Sequence, residues 1–296
     1  MDGILNINKP SGMTSHDAVQ KVRRIMKEGR IGHTGTLDPL ATGVLVLCVG
    51  KATRIARYLV TGEKEYRAVM RLGVITDTLD AAGRVLETRQ YAPPGREDIE
   101  RVMRRLTGVI MQRPPAFSAV KVSGVPSYKL ARQGRAAELN PRPVTIHRIE
   151  MTAYADPLVS FTVRCSKGVY VRTLCADIGE ALGMGAHLAA LVRTRSGRFS
   201  LEQAVTLDQL EDIASAGRAH QAITPMEEAL ADLPAVLIGN EEASKVLHGN
   251  RVSCPTSLAN GSSDVARIHD SAGRLLALAR IVAGTLRPEL VFACSS

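Results

Sequence analysis

Cysteine is scarce and scattered in this 296-residue chain. Its five cysteines are Cys48, Cys165, Cys175, Cys254 and Cys294, and no two of them form a C-x-x-C pair. An odd, widely spaced set argues against a disulfide framework, and the missing pairs argue against a zinc site. We therefore expect reduced thiols.

Long apolar segments are also lacking. No run approaches the roughly 20 apolar residues that a helix needs to cross a bilayer. The start of the chain, MDGILNINKP, lacks the basic and then apolar pattern of a signal peptide. These two absences predict a cytoplasmic protein that does not cross a membrane.

Several common catalytic motifs are absent. The chain has no H-E-x-x-H, G-x-G-x-x-G or G-x-S-x-G sequence, so metalloproteases, dinucleotide enzymes and common esterases lose support. The stretch from Gly43 to Lys51 invites comparison with a phosphate-binding loop. However, six residues separate Gly43 from Gly50 where that motif has four, and Ala52 replaces its Ser or Thr. We therefore reject a phosphate-binding loop.

Acidic residues are too few to balance the basic ones. The chain has 38 Lys and Arg against 29 Asp and Glu, a formal net charge of +9. Residues 231–296 are neutral overall, so the whole excess lies in residues 1–230, with clusters at 101–105, 132–148 and 193–198. Such an excess favours a polyanionic partner, and nucleic acid is the first candidate.

The best-marked helix begins after Thr14. Thr14 and Asp17 have the spacing of a capping box, and apolar residues recur at helical spacing up to Gly29. Ser15, His16 and Asp17 are the residue types of a hydrolase triad, but neighbours on a helix point about 100° apart. They cannot form a relay, and we interpret them as helix residues.

The remaining pattern predicts an α+β fold. Strands are predicted at 4–8, 43–50, 65–74 and 159–166, and further helices at 51–60, 96–108 and 168–183. The elements interleave without a regular βαβ repeat, which favours a mostly antiparallel mixed sheet flanked by helices. Residues 113–148 contain five prolines and predict an irregular excursion around one short helix. Short alternating runs in 231–296 predict a small β-rich domain.

The most unusual segment is GHTGTLDPLATG, residues 32–43. It places His33, three threonines and Asp38 among glycines, directly before a buried strand. Two interpretations are open. Asp38 could accept backbone hydrogen bonds in an ordinary turn, or a carboxylate could be held on a loop whose glycines allow a ligand to approach.

This segment closely resembles the catalytic motif of the TruB family of tRNA pseudouridine synthases. Residues 6–19 (NINKPSGMTSHDAV) are similar to the opening motif of that family. Residues 63–83 (EKEYRAVMRLGVITDTLDAAG) are similar to its tyrosine motif, and residues 165–183 (CSKGVYVRTLCADIGEALG) to its arginine motif. RPPAFSAVK, residues 113–121, resembles the segment before the RNA-clasping insertion of the family. The motifs occur in order across most of residues 1–200.

The resemblance implies roles for particular residues. Asp38 is expected to be the catalytic carboxylate, Arg172 to pair with it and keep it ionised, and Tyr66 to act at the target base. Tyr66 is also expected to bind the substrate, together with His33, Tyr170 and Leu191. Lys9 and Pro10 are expected to shape the loop beside the site rather than to react.

The resemblance also implies a reaction and a substrate. A uridine at position 55 in the T arm of tRNA would be flipped out of its stack and isomerised to pseudouridine, with no metal and no cofactor. The resemblance does not decide whether Asp38 attacks C1′, adds to C6 or abstracts a sugar proton. We expect a monomer that uses no guide RNA.

Two domains are expected from the same resemblance. Residues 1–230 would form the pseudouridine synthase domain, with the RNA-clasping insertion at about 113–148. Residues 231–296 are placed like the PUA domain of the family, although only their length, position and the HGNRV segment (248–252) support that assignment.

Two other classes of protein remain possible at this point. A non-catalytic RNA-binding or RNA-folding protein would need the basic surface but not Asp38, Tyr66 and Arg172 together. An RNA-guided modifier of ribosomal RNA would use the same chemistry with protein partners.

Overall fold

The computed structural model describes residues 1–60, 62–135, 139–259 and 263–292, so Cys294 lies outside it. In chain order the strands are β1 (Gly3–Lys9), β2 (Ile31–His33), β3 (Thr42–Val49), β4 (Lys64–Leu72), β5 (Val74–Thr76), β6 (Val85–Thr88), β7 (Gly108–Gln112), β8 (Lys121–Val122), β9 (Val125–Pro126), β10 (Arg142–Ala155), β11 (Leu158–Cys165), β12 (Ala186–Ser196), β13 (Phe199–Ser200), β14 (Ile223–Thr224), β15 (Ala235–Leu237), β16 (Val252–Ser253), β17 (Val265–His269), β18 (Leu275–Val282) and β19 (Thr285–Val291). The α-helices are α1 (Ser15–Met26), α2 (Ala56–Leu59), α3 (Arg96–Arg105), α4 (Ser127–Arg132), α5 (Val171–Ala181), α6 (Leu207–Ser215), α7 (Met226–Ala229), α8 (Asn240–Leu247) and α9 (Thr256–Ala259). Two 3₁₀ helices lie at Gly50–Ile55 and Ala219–Ala222. In the part of the chain described, no helix is long and apolar enough to span a bilayer.

A ten-stranded sheet dominates the fold. Its strands run in the order β14-β1-β3-β12-β4-β11-β10-β7, with β2 paired to β3 and β13 to β12. Among its described strand pairs only β3 with β12 is parallel. The predicted α+β class with a mostly antiparallel mixed sheet is confirmed.

Local sequence signals set the elements that carry the site. Thr14 caps α1 and forms the predicted capping box with Asp17. In β4 the buried residues alternate with exposed ones, so Tyr66 lies on the inner face of the sheet. Residues of α1, α3, α5 and α6 pack on this face and form the main core.

The segment 113–148 differs from the prediction at its C-terminal end. Its middle holds a short hairpin, β8 and β9, followed by α4. From Arg142 onward, however, the chain is strand β10, which pairs with β7 and then with β11. Pro143 is compatible with this strand because β11 begins to pair only at Ile146, so the side of Pro143 away from β7 is unpaired.

The C-terminal segment forms a second sheet, in the order β15-β17-β18-β19-β16. This observation confirms the β-rich prediction for that part of the chain. Its own core includes Val236, Ile268 and Leu286.

Strand β3 joins the two sheets because it is apolar on both faces. Leu45 and Leu47 belong to the main core, whereas Val44 and Val46 belong to another cluster that includes Leu278 of β18. The C-terminal sheet therefore covers the reverse face of the strand that follows the Asp38 segment. Polar contacts reinforce this junction, since Arg57 and Tyr58 lie 3.0 and 3.1 Å from the Glu289 carboxylate.

We expect Leu278→Ala to lower the free energy of unfolding by about 2–5 kcal/mol, because it opens a cavity between the two sheets. Urea denaturation would measure the change. Leu237→Ala is the control, since Leu237 is 71% exposed in the same sheet and should cost roughly 0.5 kcal/mol or less. Equal effects of the two substitutions would contradict the packing described.

Candidate active site

Asp38 lies on a loop, residues 34–41, that connects β2 to β3 and is called here the Asp38 loop. The hydroxyl of Ser15 accepts a hydrogen bond from the Leu37 amide at 2.8 Å and donates one to the Leu37 carbonyl at 3.0 Å. On the other side of Asp38, the Gly12 amide donates to the Pro39 carbonyl at 2.8 Å. Both neighbours of Asp38 are thus fixed by the segment that begins α1.

Arg172 is the direct partner of Asp38. It lies in the first turn of α5 and is almost completely buried. Its Nε is 2.9 Å from Asp38 Oδ2, and its Nη2 donates to Asp38 Oδ1 at 3.1 Å. The guanidinium is itself oriented by the carbonyls of Thr78 and Phe117, at 3.0 and 2.9 Å.

A second carboxylate, Asp80, stands behind this pair. Its Oδ2 is 3.7 Å from Arg172 Nη1. Its Oδ1 accepts hydrogen bonds from the Thr78 hydroxyl at 2.6 Å and from the Ala82 amide at 3.1 Å. Arg172 therefore bridges two carboxylates, of which Asp38 is the more exposed.

Burial has the largest effect on the pKa of Asp38. Burial raises the pKa of its carboxyl above the ordinary value, the Arg172 charge opposes this rise, and Asp80 adds to it. The net direction is upward. The Arg172 charge thus favours the ionised carboxylate, but its effect on the pKa is smaller than that of burial.

Tyr66 and Leu191 lie on adjacent strands. Both are buried members of the main core, and β4 and β12 place Tyr66 opposite Arg193 and Leu191 opposite Ala68. Burial raises the pKa of the Tyr66 hydroxyl, and the Arg193 charge opposes that rise. Asp38 is near enough for its charge to act on the same hydroxyl.

Tyr170 and His33 flank the site from two other elements. Tyr170 is the N-cap of α5, and its amide and carbonyl are bound by the side chain of Gln112 at 2.8 and 3.2 Å. His33 ends β2 and is half-buried. Burial and the Arg193 charge lower its pKa, so the ring is neutral at pH 7.

Lys9 lies beneath the Asp38 loop and is fully buried. Its Nζ donates to the carbonyls of Pro10 and Met13, both at 2.7 Å. Burial lowers the pKa of Lys9 to about 8, and the charge of Asp38 opposes this. The ammonium is therefore used to fix the shape of its own loop.

The basic clusters are less uniform than the sequence suggests. In α3, Arg101 and Arg104 form ion pairs with Asp98 and Glu100 of the same helix. Arg193 is not on the surface at all, since only 2% of it is exposed. The prediction that the whole 193–198 cluster faces a phosphate chain is wrong for this residue.

Three residues with direct roles in this geometry were missed by sequence reasoning. Ser15 was assigned to a helix, Asp80 was not singled out within the segment 63–83, and Arg193 was assigned to the basic cluster 193–198. The segment 63–83 could have drawn attention to Asp80, because it resembles a family motif and contains Asp80 two residues after Thr78. Nothing local distinguishes Arg193 from its exposed neighbour Arg195.

The arrangement offers one partly exposed carboxylate, that of Asp38, which is fixed by a buried guanidinium and is near enough to buried Tyr66 for its charge to act on the tyrosine hydroxyl. Such a group can act as a nucleophile or stabilise a developing positive charge. Within the described ranges, no group of three or more His, Cys, Asp or Glu side chains is placed to hold a metal ion.

Comparison with known families gives two matches. Residues 23–171 match the model described as TruB family pseudouridylate synthase (N terminal domain). Residues 172–231 match the model of the tRNA pseudouridylate synthase B C-terminal domain. All the candidate site residues named above, except those before residue 23, fall inside these matches.

Curated relatives are similar over nearly the whole chain. The tRNA pseudouridine synthase B of Pseudomonas aeruginosa (strain UCBPP-PA14) is 43% identical over 284 residues, which cover 95% of this chain and 92% of that protein. The protein of the same name from Dechloromonas aromatica (strain RCB) is 48% identical over 259 residues, which cover 88% of this chain and 86% of that protein.

Solved structures share the fold. A chain of a crystallised Cbf5-Nop10-Gar1 complex gives a TM-score of 0.77 at 30% identity and covers 98% of this chain and 85% of that one. A chain of an H/ACA RNP bound to a substrate RNA containing 2'-deoxyuridine gives 0.74 at 28% identity, with the same coverage.

Proposed function

The chain belongs to the TruB family of pseudouridylate synthases, and on that premise we propose that it isomerises uridine 55 in the T arm of tRNA to pseudouridine. The observation that carries the proposal is the contact of the Asp38 carboxylate with buried Arg172, at 2.9 and 3.1 Å, within range for the Asp38 charge to act on the Tyr66 hydroxyl. The sequence resemblance and the family matches support the choice of substrate.

The reaction is an isomerisation and needs no other reactant. The C1′–N1 bond of the uridine breaks, the uracil turns, and C5 bonds to C1′. C5 then loses a proton and N1 gains one, so atoms and electrons balance without water or a redox partner. Asp38 supplies the carboxylate that either attacks the uridine or stabilises positive charge on the sugar.

The other predicted residues have supporting roles in this proposal. The ring of Tyr66 stacks on the target uracil, and its hydroxyl lies where the C5 proton must leave. Tyr170 and Leu191 line the pocket for the flipped base. His33, neutral and half-buried, packs into the RNA where that base has left the stack.

We assign RNA binding mainly to residues 1–230, which contain the whole positive excess. Within them, the hairpin and helix between 113 and Arg142 form the RNA-clasping insertion. Residues 231–296 form a PUA-like domain that lies on the back of β3, the strand that follows the Asp38 loop. We further propose that the protein works as a monomer without a guide RNA.

A single assay tests this function. The purified chain is incubated with an unmodified tRNA transcript carrying tritium at C5 of uridine, and tritium release is measured. We expect release from position 55 without any added protein or RNA, and binding that weakens steeply with salt. Binding without release would favour the non-catalytic RNA-binding alternative, and release only with a guide RNA would favour the RNA-guided one.

We expect the single-turnover rate to fall in acid with a midpoint above the pKa of an exposed aspartate, because Asp38 must be ionised and burial raises its pKa. Asp80→Asn removes a negative charge that raises this pKa. The midpoint should therefore move to lower pH, by roughly 0.5 unit or more. The rate measured at each pH with saturating enzyme would report it.

Asp77→Asn is the matched control for this shift. Asp77 lies in the same turn and accepts a hydrogen bond from the Arg84 amide, and its charge is not among the main influences on Asp38. An acid midpoint that stays in place or moves upward in Asp80→Asn would contradict the assigned coupling between the two carboxylates.

A further inference from the structure

Arg193 contacts the start of the Asp38 loop and β3, the strand that follows it. Its Nη2 donates to the Gly35 carbonyl at 3.1 Å, and its Nη1 lies 3.4 Å from the Thr36 carbonyl. Its Nε donates to the carbonyl of Val44, after the loop, at 2.7 Å. A single guanidinium thus links the start of the loop to the strand that follows it.

The backbone of Arg193 is fixed at the same place. Arg193 pairs with Gly43 where β12 and β3 run parallel, and with Tyr66 on β4. Gly43 has a φ of +98°, and a Cβ at this position would overlap the Arg193 carbonyl. Arg193 therefore lies on β12 between β3, the strand that follows Asp38, and β4, the strand that carries Tyr66.

The charge of Arg193 has no acidic partner within ion-pair distance among the described residues. Its charged neighbours are cationic, because it lowers the pKa of both Lys9 and Lys64, and it also lowers that of His33. Burying an unpaired charge is costly. The three backbone carbonyls that accept hydrogen bonds from Arg193 offset part of this cost, so its contacts with the Asp38 loop and β3 account for a buried arginine at this position.

We infer that Arg193 is a positioning residue of the reaction: it holds the Asp38 loop closed and sets Tyr66 relative to Asp38. This inference rests on the proposed function. Arg193 acts through the carbonyls of Gly35, Thr36 and Val44 and does not itself contact the uridine. Its loss should therefore lower the rate of the chemical step and leave tRNA binding nearly unchanged.

The test compares Arg193→Met, Arg193→Lys and Arg164→Met. Arg164 is the control because it is an exposed arginine of the same sheet, lies outside the basic clusters and pairs with Glu63 at 2.7 Å. With saturating enzyme, Arg193→Met should lose about 100-fold in single-turnover rate, since small displacements of catalytic groups have effects of that size. The tRNA dissociation constant should change less than about threefold.

Arg193→Lys keeps the charge but not the fork that reaches three carbonyls. We expect its single-turnover rate to be about tenfold higher than that of Arg193→Met. Arg193→Lys replaces the Met variant in the test if the Met variant does not fold. A purely structural role would lower the melting temperature but spare the rate of the folded protein at saturation. Rates within threefold of wild type in both variants, or losses explained by weaker tRNA binding alone, would overturn the inference.

Hydrogen exchange gives a second measurement that does not depend on activity. In Arg193→Met the Leu37 amide, which donates to the Ser15 hydroxyl, and the Ala41 amide, which donates to the Asp38 carbonyl, should exchange faster. The Phe161 amide in the centre of the sheet should not change. Unchanged loop amides would refute the positioning role. If the loop amides of Arg193→Met exchange faster but the wild-type protein forms no pseudouridine, the proposed function is rejected while the contact of Arg193 with the loop is supported.

Discussion

Asp38→Asn is expected to lower the single-turnover rate of pseudouridine formation by at least about 1,000-fold, the loss typical of removing an essential nucleophile or charge. The change preserves the shape of the side chain and removes the charge that the C1′ step requires. The loop should keep its place, because Ser15, Gly12 and Arg193 hold its backbone rather than its carboxylate. Folding and tRNA affinity should therefore remain close to wild type.

Tritium release from C5-labelled tRNA at saturating enzyme measures this loss, and filter binding measures the affinity. Asp17→Asn is the matched control, since it removes one carboxylate from the nearby helix start while the asparagine amide oxygen can still accept the hydrogen bond from the Thr14 amide. Residual activity of Asp38→Asn within tenfold of wild type would exclude Asp38 as the catalytic carboxylate.

Arg172→Lys is expected to lose about 100-fold or more in the same rate, because lysine keeps a charge but not the planar fork. Arg172 binds the Asp38 carboxylate and two backbone carbonyls at once, and lies 3.7 Å from Asp80. An ammonium group can satisfy only part of this set. Asp38 would then be less firmly oriented toward the sugar.

Arg164→Lys provides the control for Arg172→Lys. Arg164 lies on the exposed face of β11 and pairs with Glu63 at 2.7 Å, so a surface pair of this kind should have little effect. Binding of tRNA should be retained in both variants. A single-turnover rate of Arg172→Lys equal to wild type would show that the assigned ion pair is unimportant for the reaction.

Short-range patterns predicted much of the fold. The capping box at Thr14 and Asp17 marks the start of α1, and the alternation in β4 places Tyr66 on the buried face. The excursion at 113–148 was predicted too long because Pro143 suggested a loop. Pro143 is tolerated there since β10 has a partner only on the β7 side at that position.

The candidate site was predicted only in part, because the sequence marks residues in motifs but not residues that act through contacts with distant parts of the chain. Asp38 and Arg172 stand in recognisable motifs, and the structure brings them together across 134 residues of sequence. Asp80 and Ser15 act through contacts with elements distant in the chain, so their own surroundings in the sequence did not distinguish them from a turn residue and a helix residue.

The sequence by itself determined the helix caps, the strand alternation, the basic excess of residues 1–230 and the motif that contains Asp38. All of these depend on residue type and on spacings of a few residues. Only the tertiary structure decided that Arg193 is buried while Arg195 is exposed, and that the C-terminal sheet covers the back of β3. The environment of a side chain on a strand depends on which strands lie beside it, and that is set by pairings between distant parts of the chain.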